Sequence, residues 1–245
     1  MTPRILLAVA GRVLTQLRRD HRTAAMLLVL PCILMTLLWW MFQDIPGSLF
    51  DRFGPALLAL FPFIVMFLVT SVTTLRERSS GTLERLLAMP MGKLDFLGGY
   101  ALAFGVVAAV QAALAVTLSV GFLRLDVAGP VALLAVVAIA DAVLGTALGL
   151  LVSAFARTEF QAVQFMPLFV IPQILLCGLF VPRASLPDVL HGISDVLPLS
   201  YATDAMQTLV SSTETGDVWR DLGIVAGFTL AALALGAATL RRRTP

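Results

Sequence analysis

LRERSSGTLERLLAMPMGK, from Leu75 to Lys93, is the densest charged stretch lying between two long apolar runs. Gly81 stands where an N-cap would, and Glu84 then falls at the third helical position. There a carboxylate meets unpaired backbone N–H groups and the positive end of the helix dipole. Leu83, Leu86 and Leu87 follow at helical spacing on one face, and Pro90 stops the helix. The stretch reads as a short amphipathic helix at a membrane surface, able to dock into a partner. An ordinary basic loop is the competing reading.

Working outward, the chain is 59% apolar and 13% charged over 245 residues, far from soluble globular usage. Charge-free runs occupy 23–42, 53–75, 96–123, 127–156 (broken once, by Asp141), 160–182 and 222–240. Each is long enough to cross a bilayer, which takes about 20 apolar residues. The expectation is an all-α membrane protein of six spans forming a single domain over 1–245, with 183–221 as its longest loop.

Lys and Arg fix the orientation. With the N-terminus inside, thirteen basic residues lie on the cytoplasmic side and four, Arg52, Arg124, Arg183 and Arg220, on the other. Both termini are then cytoplasmic. Sixteen of the seventeen basic residues are Arg, the usage of a GC-rich bacterial genome. Residues 3–21 carry Ile5, Val9, Val13 and Leu17 on one helical face, the pattern of a helix lying in the inner membrane interface with that face in the acyl boundary. A signal peptide does not fit residues 1–45: the basic lead and apolar run are too long, and no small-x-small cleavage site follows.

Inside the spans, three features stand out. Asp141 sits near the middle of span four, where a charged Asp costs roughly 2.5–3.5 kcal/mol. It is expected to be protonated, or to face a partner or a watery cavity. It reads either as a substrate or proton site or as a neutral acid bonded to an adjacent helix. Gly145 and Gly149 form a small-xxx-small face for close helix approach, as do Gly223 and Gly227. Span five mixes Gln161, Gln164 and Gln173 with Pro167 and Pro172, and carries Phe165 and Phe169. Proline frees backbone carbonyls that neighbours or cavity water must satisfy, so this span belongs at a subunit interface or along a path.

Other chemistry is excluded. Gly92-Lys93 is followed by Leu94, so the phosphate-cradling Gly-x-x-x-x-Gly-Lys-Ser/Thr is missing. No His-Glu-x-x-His, Gly-x-Ser-x-Gly or Cys/His cluster occurs, so neither catalytic nor metal-ligating residues are assigned. Cys32 and Cys177 lie within apolar spans and read as packing residues. The basic residues border the membrane, which leaves nucleic-acid binding without support.

Glu77, then Gly81-Thr82-Leu83-Glu84, Leu86-Leu87 and Pro90, resemble the signature of permeases of type-2 ATP-binding-cassette exporters. The layout is similar too, with an interfacial helix, six spans and an extended loop before the last. Leu197-Pro198-Leu199-Ser200-Tyr201-Ala202 resembles the family's Pro-x-x-Tyr-Ala segment. The resemblance implies that 81–90 is a coupling helix touching a separate ATPase, with Leu83, Leu86 and Leu87 in an apolar groove and Glu77 and Glu84 paired to its basic groups. Arg157-Thr158-Glu159 would be a second, smaller contact. It implies short external helices within 183–221, and span five near the axis of a permease dimer; Gln164, Phe169 and Gln173 of that span are candidates for the pathway or subunit interface, and Asp141 joins them on its own reading, since the resemblance makes no demand for an acid there.

The same resemblance implies two ATPase subunits that bind ATP and Mg, leaving this chain without a cofactor or enzymatic activity of its own. It implies a second permease chain, identical or a sister, surrounding lipid, and a bacterial inner-membrane location. The expected activity is export of a drug, lipid or glycan-like substrate by alternating access. A proton-coupled secondary transporter using Asp141, or a membrane assembly factor without transport, are the alternatives.

Overall fold

A computed structural model describes residues 3–45, 49–79 and 93–239. Its helices are α1 (Pro3–Arg19), α2 (His21–Phe42), α3 (Leu49–Ser79), α4 (Lys93–Thr117), α5 (Val131–Ser153), α6 (Glu159–Leu176), α7 (Asp188–Ser194), α8 (Pro198–Ser211) and α9 (Gly216–Thr239). A π-helical turn, Leu118–Phe122, prolongs α4, and a 3-10 turn, Arg183–Ser185, precedes α7. Among the described residues there is no strand. The helices α2, α3, α4 with its extension, α5, α6 and α9 are long and apolar enough to cross a membrane, giving the six expected spans.

Chain order makes these six alternate in direction. The start of α2, the end of α3, the start of α4, the end of α5 and the start of α6 therefore share one end with α1, called here the near end. The turn before α5 and the segment holding α7 and α8 occupy the far end.

α5 is the hub, packed against α3, α4, α8 and α9. Its Ala, Gly, Val and Leu residues are buried around most of its circumference, so it sheds water and lipid alike. Gly145 and Gly149 set its distance from α3. A Cβ at either would lie 2.5 Å from the carbonyl oxygen of Phe63 or Phe67, so any larger residue would push the two helices apart. Thr70, Ser71 and Thr74 of α3 are buried; the Ser71 hydroxyl donates to the Leu68 carbonyl (3.0 Å), while the Thr70 and Thr74 hydroxyls have no partner among the described residues. Gly223 and Gly227 behave differently. Among the described residues nothing lies within 4 Å of a Cβ built on them, so the close approach expected for span six is not made by any described helix.

The helix α1 also departs from expectation. Val9, Ala10 and Val13 are buried, and α1 packs on α4, so the stripe predicted to face acyl chains faces protein instead. Gly99 of α4 allows it: a Cβ there would fall 2.6 Å from that of Val9. Asp20 then turns the corner into α2, accepting from the Thr23 N–H (3.2 Å) and hydroxyl (2.6 Å).

Three span edges shift for local reasons. Pro130 caps α5, so that helix starts at Val131 rather than 127. α6 stops at Leu176, and Gly178 adopts φ 91°, a left-handed conformation that ends the helix well before residue 182. α9 begins at Gly216, ahead of the charge-free run, because Arg220 pairs with Asp217 and Asp221 on the helix itself (both 3.2 Å).

Candidate functional site

At the near end, α3 runs past the apolar region and brings two adjacent charges to its last turn. Arg76 and Glu77 are consecutive, so their side chains diverge by about 100° around the helix axis. Glu77 turns inward and is buried. Its Oε2 accepts from Arg12 Nη2 of α1 at 2.9 Å, and the same Nη2 donates to the Tyr100 hydroxyl of α4 at 3.0 Å. Tyr100 is itself held between Phe96 and Phe104, with ring centroids 4.4 and 6.2 Å away.

Arg76 turns outward and makes a two-pronged contact with Glu159, Nε to Oε1 and Nη2 to Oε2, both 2.9 Å. Glu159 is the first residue of α6. Thr158 caps that helix, its hydroxyl accepting from the Gln161 N–H at 3.1 Å, and the Arg157 N–H donates to Gln161 Oε1 at 2.8 Å. The turn 157–159 is thus a defined corner tied to α3. Glu77, Arg157 and Glu159, separate candidates in the sequence, converge on one end of α3. Gly81, Thr82, Leu83, Glu84, Leu86, Leu87 and Pro90 lie outside the described residues.

α6 carries the second group of candidates. Its buried side is narrow: Ala162, Val170 and Gln173. Gln164 is exposed among Val163, Pro167 and Leu168, an amide on an uncovered face of an apolar helix. Phe169 is 45% exposed and meets Phe165 edge-on, with centroids 6.4 Å apart. Gln173 points into the chain. Its Nε2 donates to the Phe169 carbonyl (3.0 Å) and its Oε1 accepts from the Leu199 N–H (3.2 Å) in the first turn of α8. That satisfies one of the N–H groups a helix start leaves unpaired, since Leu197 offers no side-chain cap. Asp141 lies on α5 with 0% exposure, and neither carboxyl oxygen has a hydrogen-bond partner among the described residues.

The far end holds a cluster that the sequence did not single out. Arg183 donates from Nε to the Ser194 hydroxyl (2.7 Å), from Nη2 to Asp195 (2.6 Å) and from Nη1 to Asp204, and its guanidinium lies 5.1 Å from the Tyr201 ring centroid. Ser194 donates onward to the Leu176 carbonyl at the end of α6 (2.9 Å), and the Tyr201 hydroxyl donates to the Asp195 carbonyl (2.8 Å). Burial pushes the Asp204 carboxyl above the usual range, ahead of the opposing pull of Arg183. Arg12 and Tyr100 were missed as well. Their partners are 65 to 88 residues distant, a separation that no local pattern reports.

The profile of the family described as ABC-2 type transporter matches residues 5–210, from α1 through α8 and including both near-end charge contacts. The chain belongs to the ABC-2 type transporter family. Among its relatives is the probable multidrug ABC transporter permease YbhR of Escherichia coli (strain K12), 28% identical over 190 residues that make up 77% of this chain and 52% of that protein. Another is the linearmycin resistance permease protein LnrN of Bacillus subtilis (strain 168), 25% identical over 186 residues, 73% of this chain and 48% of the relative. ABC transporter G family member 20 of Dictyostelium discoideum is 27% identical over 166 residues, 67% of this chain and 23% of its own. This ABC-2 type chain thus spans about half the length of the two bacterial relatives. Family membership and six apolar helices together make it a multi-pass membrane protein of the permease type.

Proposed function

We propose that this chain is the permease subunit of an ATP-driven exporter, working with two separate ATPase subunits and a second permease chain. It would carry a drug, lipid or glycan-like substrate outward by alternating access. The observation that carries the proposal is the convergence at the near end. The last turn of α3 is bonded to α1 and α6 and, through Arg12, to α4, so force delivered to the chain between α3 and α4 has a short route into four helices. The names of relatives, a multidrug permease and a linearmycin resistance permease, support drug-like cargo. The excess of Lys and Arg at the near end supports a cytoplasmic position for it and for both termini, in the inner membrane of a bacterium.

In this reading Leu83, Leu86 and Leu87 enter an apolar groove of the ATPase and Glu84 meets its basic groups. The 157–159 corner makes the smaller contact, and the uncovered face of α6, with Gln164 and Phe169, meets the second permease chain. Co-purification with an ATPase subunit and reconstitution into liposomes test it. Hydrolysis should drive transport, and Glu84→Lys should leave the protein inserted while transport per ATP falls. Normal transport by that variant would remove Glu84 from the coupling role.

A second reading rests on Asp141, a fully buried acid without a described partner, as a proton site. Uptake driven by a pH gradient alone, without any ATPase and lost in Asp141→Asn, would favour it over the exporter.

A further inference from the structure

Glu77 and Tyr100 stand on the two helices that enter and leave the segment 80–92, and one guanidinium nitrogen bonds both of them. We infer that Arg12 is a positioning residue for force transmission: it staples α3 and α4 to each other and to α1, so that all three move as one body when the segment between them is pushed. The inference rests on the permease reading and adds to it a residue, Arg12, and an element, α1, that lie outside the proposed ATPase contact.

Three observations carry it. The staple is partly shielded from water, with side-chain exposures of 36% for Arg12 and 9% for Glu77, so the ion pair is screened less than a surface pair. The geometry is supported from both sides, because Gly99 lets α1 lie directly on α4 while the rings of Phe96 and Phe104 hold Tyr100 in place. The contact is also specific to its two acceptors. Both bonds leave one nitrogen, Nη2, whose two hydrogens are held in fixed directions by the guanidinium plane, which a rotating ammonium on a shorter stem reproduces less well. Without the staple, Val9, Ala10 and Val13 would still dock α1 on α4, but that apolar contact could slide, because the bonds of Arg12 to Tyr100 and Glu77 would no longer fix where α1 lies on α4 and α3.

Spin-label distances in the ATPase complex test this without knowledge of the substrate. Exposed Leu7 on α1, Leu102 on α4 and Leu235 on α9 are replaced by Cys in pairs, with Cys32 and Cys177 changed to Ser. Each pair is measured with and without ATP and vanadate, the probe that traps the hydrolytic state. The expected result is a Leu7–Leu235 shift on the order of 2 Å, the scale of helix displacements in switching proteins, with the Leu7–Leu102 distance unchanged. Arg12→Met should let the Leu7–Leu102 distance change or broaden with vanadate while hydrolysis continues, and Arg12→Lys should restore part of the constraint. Tyr100→Phe, which removes only a hydroxyl, serves if Arg12→Met does not assemble, and should loosen the same distance less.

A Leu7–Leu102 distance that moves in the wild type, or one unaffected by both Arg12→Met and Tyr100→Phe, overturns the staple. A wild-type complex that hydrolyses ATP with no change in any pair overturns the permease reading beneath it.

Discussion

Two arginines organise the two ends of the molecule, and they do so differently. Arg183 at the far end has a side chain only 10% exposed, and its partners Ser194, Asp195, Tyr201 and Asp204 all follow it within 21 residues. That cluster is assembled from neighbouring chain and closes α7 and α8 over the end of α6. Arg12 at the near end is more open, and its partners come from α3 and α4, 65 and 88 residues away. One end is a locally built cap. The other exists only once distant helices have met, as the proposed passage of motion between helices requires.

Breaking each arginine should expose that difference. Arg183→Met leaves Asp195 and Asp204 without the guanidinium they share. Removing one partner of a largely buried pair costs about 3–5 kcal/mol, and the open side of Asp195 places this case at the lower end. A clearly lowered thermal midpoint in detergent is expected, with faster deuterium uptake confined to 183–211. Arg12→Met should cost less, about 1.5–3 kcal/mol for a charge-assisted hydrogen bond, with faster uptake spread across α1, the last turn of α3 and the first turns of α4. A local response to Arg12→Met, or a dispersed one to Arg183→Met, would erase the contrast.

Arg76→Ala should matter least to stability. Arg76 and Glu159 are 65% and 47% exposed, and such pairs contribute roughly 0–1 kcal/mol despite good geometry. A subtler effect is the pH response of Asp204. Burial raises its carboxyl, so the folded protein holds that proton more tightly than the unfolded chain. Stability carried by this group therefore falls as pH rises through the interval above the ordinary aspartate range. Asp204→Asn removes that term, so the thermal midpoint of the variant relative to the wild type should be higher at about pH 7.5 than at about pH 4.5. The opposite trend would mean that Arg183, not burial, dominates Asp204.

Much of this was legible in the sequence because a bilayer imposes one simple requirement, long runs without charge, and the chain meets it six times. Gly145 and Gly149 were equally readable, since only glycine at a four-residue spacing lets α5 reach the backbone of α3. What failed was anything depending on what covers a face. The stripe on α1 has the period of a membrane-surface helix, and nothing local says that Gly99 will bring α4 against it. Gly223 and Gly227 show the converse, a close-packing pattern with no close neighbour among the described residues. Asp217, Arg220 and Asp221 looked like loop residues because charges were counted singly, whereas in α9 they neutralise one another. The near-end site was half visible. Glu77, Arg157 and Glu159 fell within recognisable segments, but Arg12 looked like any other basic residue on a polar face.

On the permease proposal, an ATPase pushes on this chain between α3 and α4. A photo-crosslinking residue at Leu83, introduced in intact cells, tests it most directly. An adduct with a nucleotide-binding subunit is expected, with labelling of a Leu83→Cys variant by a membrane-impermeant maleimide only after the cytoplasmic face is opened. Labelling of that cysteine from outside intact cells, or a crosslinker that never captures such a subunit, would contradict it.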